Sequence, residues 1–450
     1  MPAGLMNQGN TCFIASVVQA LSGSGDVLAA AKAALTHQPP DSVGRATAEL
    51  IIKLSDESRE RGVLNPADLI GKVRRHHKSI GFAQQDAQDA YLILVEAMFA
   101  QRGHRALGGE DGLAAIAELS VLSERHPSIE PPLPSTDPLV AHGVLPSASL
   151  QPSPHYDGIF LRHHLLSPIS VARPRIQDLP PLRGMLSSSV RCAICGGHQE
   201  RRIDPCYDIS LAIPPQRKVQ SGNFLQAHTL TIEDCLAYWA EDEVVSGALC
   251  DRCLVDDSLK ILRDRKPALA VIAANVSALR RKELDDALDE EISLLEGVIA
   301  SVTHSASSLP DSLRSRCRRT IGERGAGKIV KKLTIARPPQ VLSLHLRRVL
   351  PTVTGFGKDS RAVRFAPAID IAPFCSTSQA VPGSSTKRLP YHLIGVVQHL
   401  GDAYGGHYIC YRRNADKMGW TLLNDQQCSQ VTLPQVLACE AYILLYEKAR

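Results

Sequence analysis

The stretch Gly4-Leu5-Met6-Asn7-Gln8-Gly9-Asn10-Thr11-Cys12-Phe13 decides how this chain is read. Its glycines and asparagines mark a turn, and an Ala/Val/Leu-rich run follows from Cys12. Phe13, Val17, Ala20 and Leu21 recur at helical spacing, with Thr11 or Asn10 suited to the N-cap. A cysteine placed there meets free backbone N–H groups and the positive end of a helix dipole, both of which favour thiolate over thiol. Asn7 sits in a turn that can fold back, so its amide is a candidate donor to an oxyanion. The plainer reading is a small buried cysteine at a helix start, and an isolated Cys12 would be read that way.

The C-terminal third supplies what an isolated cysteine lacks. Tyr404-Gly405-Gly406-His407-Tyr408 sets a histidine after a Gly-Gly turn at the mouth of a β-type run. Glycines there let another backbone come close. Further on, Trp420-Thr421-Leu422-Leu423-Asn424-Asp425 offers Asn424 or Asp425 to hold the imidazole tautomer. Cys, His and Asn/Asp in that chain order suit a thiol-protease triad. His345, His392 and His399 are read as structural.

Two C-x-x-C pairs, Cys192/Cys195 and Cys250/Cys253, lie between these motifs. Each suits a knuckle that turns two thiolates onto one ion, and two knuckles make the closed tetrad of structural zinc. Gly196-Gly197 lets the backbone fold around the ion. Cys206 and Cys235 are read as buried or incidental thiols.

The remaining text gives the architecture. Residues 46–56, 66–77 and about 85–99 read as helices, the last with Ala87, Tyr91, Leu94, Val95 and Met98 on one face. Proline- and serine-rich text over 101–155 reads as a loop or disordered insertion. Residues 255–335 form a second unusual block, with an amphipathic helix (Leu284, Leu288, Ile292, Leu295, Ile299) and a basic stretch from Arg314 to Lys332. That stretch is read as a solvated surface, with contact to an acidic partner or lipid as the alternative. Strand-like runs cover 340–346, 392–397, 407–411 and 441–446. Helices first and strands after give an α+β class.

Composition narrows the rest. The 450 residues are 44% hydrophobic and 21% charged, enough to bury a large core. A net charge of +4 is too balanced to argue for nucleic acid. Pro267 to Leu279, the longest apolar stretch, is short of the roughly 20 residues of a membrane span. No basic n-region precedes an apolar run at the N-terminus, so no secretory signal is read. Twelve cysteines without that signal are expected to be thiols, metal ligands or a nucleophile.

Four segments together resemble the ubiquitin-specific protease family of cysteine deubiquitinases. Gly4 to Phe13 is similar to its Cys box, and Tyr391 to His399 with Gly406 to Tyr411 is similar to its His box. Gln84-Gln85-Asp86-Ala87-Gln88-Asp89-Ala90-Tyr91 resembles an internal motif, and Pro338 to Arg348 a strand of the palm. The cysteine pairs fall where the family's zinc-bearing fingers belong. The resemblance implies a papain-like fingers–palm–thumb fold, with a helical thumb over 1–110, fingers and part of an antiparallel palm over 156–260, and palm over 332–450. Segments 101–155 and 255–335 would be insertions in a single catalytic domain.

It also implies roles. Cys12 would attack the carbonyl after the C-terminal glycine of ubiquitin, with His407 as base and then acid. Asn424 would orient His407, Asp425 would assist, and Asn7 would serve the oxyanion. Asp86 and Asp89 would grip the basic tail of ubiquitin, with a solvated or capping helix end as the alternative. Gly405 and Gly406 would flank a channel that excludes side chains. One zinc ion, no organic cofactor, and ubiquitin or ubiquitinated proteins as partners complete the expectation. The cytosol or nucleus is the expected place, with association to an organelle surface left open. Two further readings stand beside it: an inactive ubiquitin-binding scaffold, and the same chemistry on a ubiquitin-like modifier.

Overall fold

Gly4–Leu5 forms a two-residue strand, β1, paired in parallel with β2 (Val63–Leu64), so the chain's first turn is pinned before its first helix. The structure, a computed structural model, describes residues 2–56, 62–77, 86–100, 180–215, 229–246, 250–272, 277–302, 309–321, 327–353, 355–376, 388–415 and 418–449. The expected insertion at 101–155 and the residues Gln84 and Gln85 lie outside them.

Five helices follow the expected thumb: α1 (Cys12–Leu21), α2 (Gly25–His37), α3 (Val43–Ser55), α4 (Ala67–His76) and α5 (Ala87–Phe99). All ten residues of α1 are buried, as befits a helix apolar on every side. Its two polar exceptions are bonded: Ser16 donates to Phe13 O and Gln19 to Ala3 O at 2.7 Å. Ser24 and Ser42 cap α2 and α3 by accepting the N–H of Val27 and Arg45. α3 crosses α5 closely at Gly44, where an added Cβ would lie 2.1 Å from Ala97 O.

The palm is an eight-stranded sheet. Its strands are β5 (Ile209–Ala212), β8 (Val341–Arg347), β11 (Ala368–Asp370), β12 (Pro390–Gly401), β13 (Gly406–Arg413), β14 (Trp420–Asn424), β15 (Gln427–Val431) and β16 (Ala441–Lys448). They run in the order β15-β14-β13-β12-β16-β8-β5, with β11 on β12, and only β5–β8 is parallel. The apolar runs read from the sequence are the central strands, because this sheet is covered on both faces. Val341, Tyr442 and Leu445 face the thumb helices, while Leu342, Leu344, Leu346 and Leu444 face α6 (Ile232–Trp239). Arg412 of β13, 2% exposed, reaches into the thumb to Ser22 Oγ, Gln19 Oε1 and Leu54 O, tying the two lobes together.

The fingers are a four-stranded sheet ordered β4-β3-β7-β6, from β3 (Gly184–Cys192), β4 (His198–Cys206), β6 (Glu243–Ser246) and β7 (Lys328–Arg337). The block expected as an insertion at 255–335 therefore divides. Three helices, α7 (Asp251–Ile272), α8 (Ala278–Val302) and α9 (Asp311–Ile321), share a small core of Leu254, Val255, Leu259, Leu262, Leu295 and Cys317. From Lys328 the chain is already a finger strand paired with β3. The basic stretch is partly structural: Arg314 grips Asp251 with two nitrogens at 2.9 and 3.1 Å, and Arg316 pairs with Glu291. Among the described residues, no single helix is long and apolar enough to cross a membrane.

Candidate active site and metal centre

Cys12 opens α1, and backbone geometry puts it there. Gly9 and Asn10 take positive φ of 77° and 51°, which turns the loop back on itself. Thr11 precedes the helix; its hydroxyl accepts the Gln8 N–H at 2.9 Å, and its own N–H donates to Asn7 Oδ1 at 3.3 Å. Thr11 N–H and hydroxyl thus hold the Asn7 side-chain oxygen toward the helix start. Cys12 is 3% exposed. Burial pushes its pKa above the ordinary 9.0, and the Asp425 carboxylate adds to this. The backbone N–H groups of Tyr408, Phe13 and Cys12 itself oppose the rise.

His407 enters from β13. Its Nε2 lies 2.7 Å from Asn424 Oδ1 and 3.8 Å from Asp425 Oδ2. An amide oxygen only accepts, so Nε2 carries the proton and Nδ1 keeps its lone pair. Register explains the meeting: Cys410 faces Leu423 across β13 and β14, so His407 and Asn424 are diagonal neighbours at the end of that ladder. Among the described residues no hydrogen bond joins Cys12 to His407.

Asn424 and Asp425 have separate duties. Asn424 ends β14, and Asp425 begins the two-residue turn to β15 with φ of 50°. Asp425 Oδ2 accepts from Asn7 Nδ2 at 2.9 Å, and Asp425 O accepts the Leu5 N–H at 2.8 Å. The turn is thus held against β1, so closely that a Cβ on Gly4 would lie 2.4 Å from Gln426 O. The five residues Asn7, Cys12, His407, Asn424 and Asp425 come together at this seam between thumb and palm.

The other expected substrate residues separate. Asp86 is the N-cap of α5, accepting the Gln88 N–H at 2.7 Å, and both its oxygens accept from Tyr442 OH, at 2.8 and 2.7 Å. That is the capping alternative, with a palm contact added. Asp89 lies half-buried in the first turn of the same helix. Gly405 has open space where a Cβ would project, whereas a Cβ on Gly406 would strike Leu400 O at 2.1 Å and His399 Nε2 at 2.6 Å.

Of the three histidines read as structural, two are core. His345 meets Ser210 Oγ at 3.0 Å and the edge of Tyr442, and burial pushes its pKa down to about 4. His399 packs on Tyr408, while His392 is exposed on β12. Cys206 and Cys235 are thiols pushed up to about 12 by burial.

Sequence reading missed a polar seam between α5 and the start of β5. Asp208 accepts from Gln88 Nε2 at 2.7 Å and Ser210 Oγ at 3.2 Å, and burial pushes its carboxyl up to about 6. Tyr91 OH donates to Tyr207 O at 2.8 Å. Gln88 and Tyr91 stood in a quoted motif, but their partners lie far along the chain and carry no local signal.

The two cysteine knuckles meet at the finger tip. The sulfurs of Cys192, Cys195, Cys250 and Cys253 all lie within 4.8 Å of one another, with Cys192–Cys253 and Cys195–Cys250 at 3.5 Å. Four sulfurs at the usual zinc–sulfur distance would stand about 3.8 Å apart, so this donor set fits a structural zinc ion. The first knuckle closes by Cys192 N–H to Gly197 O and Gly196 N–H to Cys192 O, with Gly196 at φ of 68°. The second is the N-terminus of α7, where the Cys253 N–H donates to Cys250 Sγ at 3.2 Å. Burial, and the sulfurs crowded beside it, push the Cys253 thiol up; a bound cation would favour the thiolate form of its ligands.

Comparison with known proteins bears on the chain as a whole. The family model described as ubiquitin carboxyl-terminal hydrolase matches residues 3–446. Ubiquitin carboxyl-terminal hydrolase 2 of Bos taurus is 24% identical over 455 residues, covering 99% of this chain and 55% of the relative. Ubiquitin carboxyl-terminal hydrolase 16 of Arabidopsis thaliana is 32% identical over 177 residues, covering 38% of this chain and 16% of the relative. The chain therefore spans about half, or less, of the length of these relatives. Among solved structures, a chain of the SAGA Ubp8/Sgf11/Sus1/Sgf73 DUB module bound to ubiquitin aldehyde is similar with a TM-score of 0.54 and 18% identity, covering 100% of this chain and 70% of that one. That likeness is one of fold.

Proposed function

The chain belongs to the ubiquitin carboxyl-terminal hydrolase family, and from that premise we propose that it is a thiol-dependent deubiquitinase cleaving after the C-terminal glycine of ubiquitin. One observation carries the reading: the His407–Asn424 pair at 2.7 Å and the Asn7–Asp425 pair at 2.9 Å meet at the helix terminus that bears Cys12.

In this mechanism Nδ1 of His407 takes the Cys12 proton, and the thiolate sulfur bonds to the carbonyl carbon of the terminal glycine. The second N–H of Asn7 Nδ2 and nearby backbone N–H groups stabilise the oxyanion. As the tetrahedral species collapses the carbon–nitrogen bond breaks, and His407 returns its proton to the leaving amine. Water, deprotonated by His407, then cleaves the thioester and regenerates Cys12. Asn424 keeps the imidazole in the tautomer this needs. Asp425 holds the oxyanion donor and, when His407 is protonated, offers it a carboxylate. Asp86 and Asp89 at the start of α5 are the acidic positions proposed to meet the basic tail, and Gly405 with Gly406 the channel that selects glycine. Asp86 brings only what its cap and its Tyr442 bonds leave exposed. The four-cysteine site holds zinc as a structural brace of the fingers and takes no part in the chemistry. A nucleophile that must stay reduced suits the cytosol or nucleus.

A ubiquitin probe with a C-terminal electrophile should label the wild type and not Cys12→Ser, with parallel turnover of a ubiquitin conjugate. Labelling that survives in Cys12→Ser would remove Cys12 from the mechanism. Binding of ubiquitin with no turnover would favour a scaffold, and preference for a ubiquitin-like probe would change the modifier.

A further inference from the structure

The loop that presents His407 is gripped by a residue that no motif marks. β9 (Val349–Thr352) and β10 (Gly355–Lys358) form a short hairpin beside the site, and its last residue is Lys358. The Lys358 side chain is only 7% exposed. Its ammonium donates to His399 O at 2.8 Å and Gly401 O at 3.1 Å, and it pairs with Glu440 Oε1 at 3.0 Å. These carbonyls belong to the end of β12, where Leu400 faces His407 and Gly401 faces Gly406.

That end of the ladder needs holding. Gly401 has a φ of 127°, and a Cβ on it would lie 2.4 Å from Gly405 O. The turn beyond is closed by Asp402, whose carboxylate accepts the N–H groups of Tyr404 and Gly405 at 2.8 and 2.9 Å. The hairpin adds a second tie, from Phe356 N–H to Tyr404 OH at 2.9 Å. Glu440 Oε1 also lies 3.9 Å from the guanidinium of fully buried Arg348, which holds Ala441 O and Asp359 O. A buried ammonium is costly unless its partners are well placed, and here they are the backbone carbonyls that set the His407 loop.

We propose that Lys358, with Glu440 as its counter-charge, is a positioning residue for His407: it keeps the β12–β13 ladder closed to its last pair and so aims the imidazole. The proposal rests on His407 being the general base of the reading above. The strand end is fixed in the free protein, so the effect falls on the chemical step rather than on substrate capture.

The test compares wild type, Lys358→Met and Glu440→Gln in the full chain. It reads kcat and KM on a fluorogenic C-terminal ubiquitin amide, melting temperature, and amide hydrogen exchange over 399–408. Lys358→Met, which keeps the stem and loses the charge, should lower kcat about tenfold with KM within about twofold, because small misplacements of a catalytic group are costly. Exchange over 399–408 should speed up. Glu440→Gln, close in volume, should move both in the same direction by less, and it stands in if Lys358→Met does not fold. A folded variant with unchanged kcat and unchanged exchange overturns the proposal, as does a loss carried wholly by KM. Should the wild type turn over no ubiquitin substrate, the deubiquitinase reading fails by itself. Exchange then still decides whether Lys358 holds the loop, and unchanged exchange overturns it.

Discussion

Asn7 Nδ2 donates to Asp425 Oδ2 at 2.9 Å, joining the loop before Cys12 to the turn after Asn424. The same carboxylate oxygen stands 3.8 Å from His407 Nε2, so one acidic group faces both Asn7 and His407.

Asn7→Ala should lower kcat by about 10²–10³, the usual effect of losing one oxyanion donor. Asp425→Ala should lower it less, and the double variant should fall short of the product of the two because they act through one contact. Steady-state kinetics on a ubiquitin amide gives the cycle. Strict multiplicativity would show that Asp425 does not act through Asn7.

The buried Cys12 thiol has its pKa raised above 9.0. In the free protein it is therefore mostly protonated at neutral pH, and the reactive thiolate grows with pH. Its alkylation by iodoacetamide, taken as the difference between wild type and Cys12→Ser, should rise about tenfold per pH unit from 7 to 9. A flat rate down to pH 6 would reveal a preformed thiolate–imidazolium pair instead.

Gly405 and Gly406 read alike in sequence and differ in space. Gly406→Ala drives a Cβ onto Leu400 O and His399, so it should destabilise the fold, visible as a lower melting temperature. Gly405→Ala meets open space, so it should melt like wild type yet lose kcat/KM on ubiquitin substrates. Equal activity for Gly405→Ala and wild type would argue against a channel at that residue.

One zinc ion per chain is expected at Cys192, Cys195, Cys250 and Cys253. Cys192→Ser, or a strong chelator, should lower the melting temperature and loosen 184–206 and 243–260 in hydrogen exchange. A metal-free protein with the same melting curve would exclude the site.

The Asp208 carboxyl is raised from 3.8 to about 6 by burial. The folded state thus keeps its proton to higher pH than the unfolded chain, so this group's contribution to stability is full below pH 4 and lost as pH rises to about 6. Asp208→Asn keeps acceptors for Gln88 and Ser210 without the charge. It should be more stable than wild type by about 2 kcal/mol at pH 7, a figure discounted for partial contact with water, and no more stable at pH 4. Urea unfolding at both pH values checks it.

Much of the site was legible because its chemistry is local in the chain. The Gly/Asn turn before Cys12, the Gly-Gly before His407 and the two C-x-x-C pairs each carry a signal within a few residues. The central strands were legible too, since β8 and β16 are buried on both faces and read as largely apolar runs, β8 broken only by Ser343 and His345 before its final Arg347. The β9–β10 hairpin, Lys358, Arg348, Arg412 and Asp208 were not. Each acts on a backbone carbonyl or a side chain from a distant element, and nothing beside it in sequence marks the partner.

Sequence by itself determined the family, the strands of the central sheet, the four cysteines that cluster, and Cys12 and His407 as candidates, because residue type and spacing set those. Tertiary structure decided which of two adjacent residues does what: Asn424 meets the imidazole, Asp425 meets Asn7, and Asp86 caps a helix and meets Tyr442. The reason is register. A strand alternates its side chains, a turn with positive φ redirects the next one, and the partner then depends on which strand end, held by which contact, lies opposite.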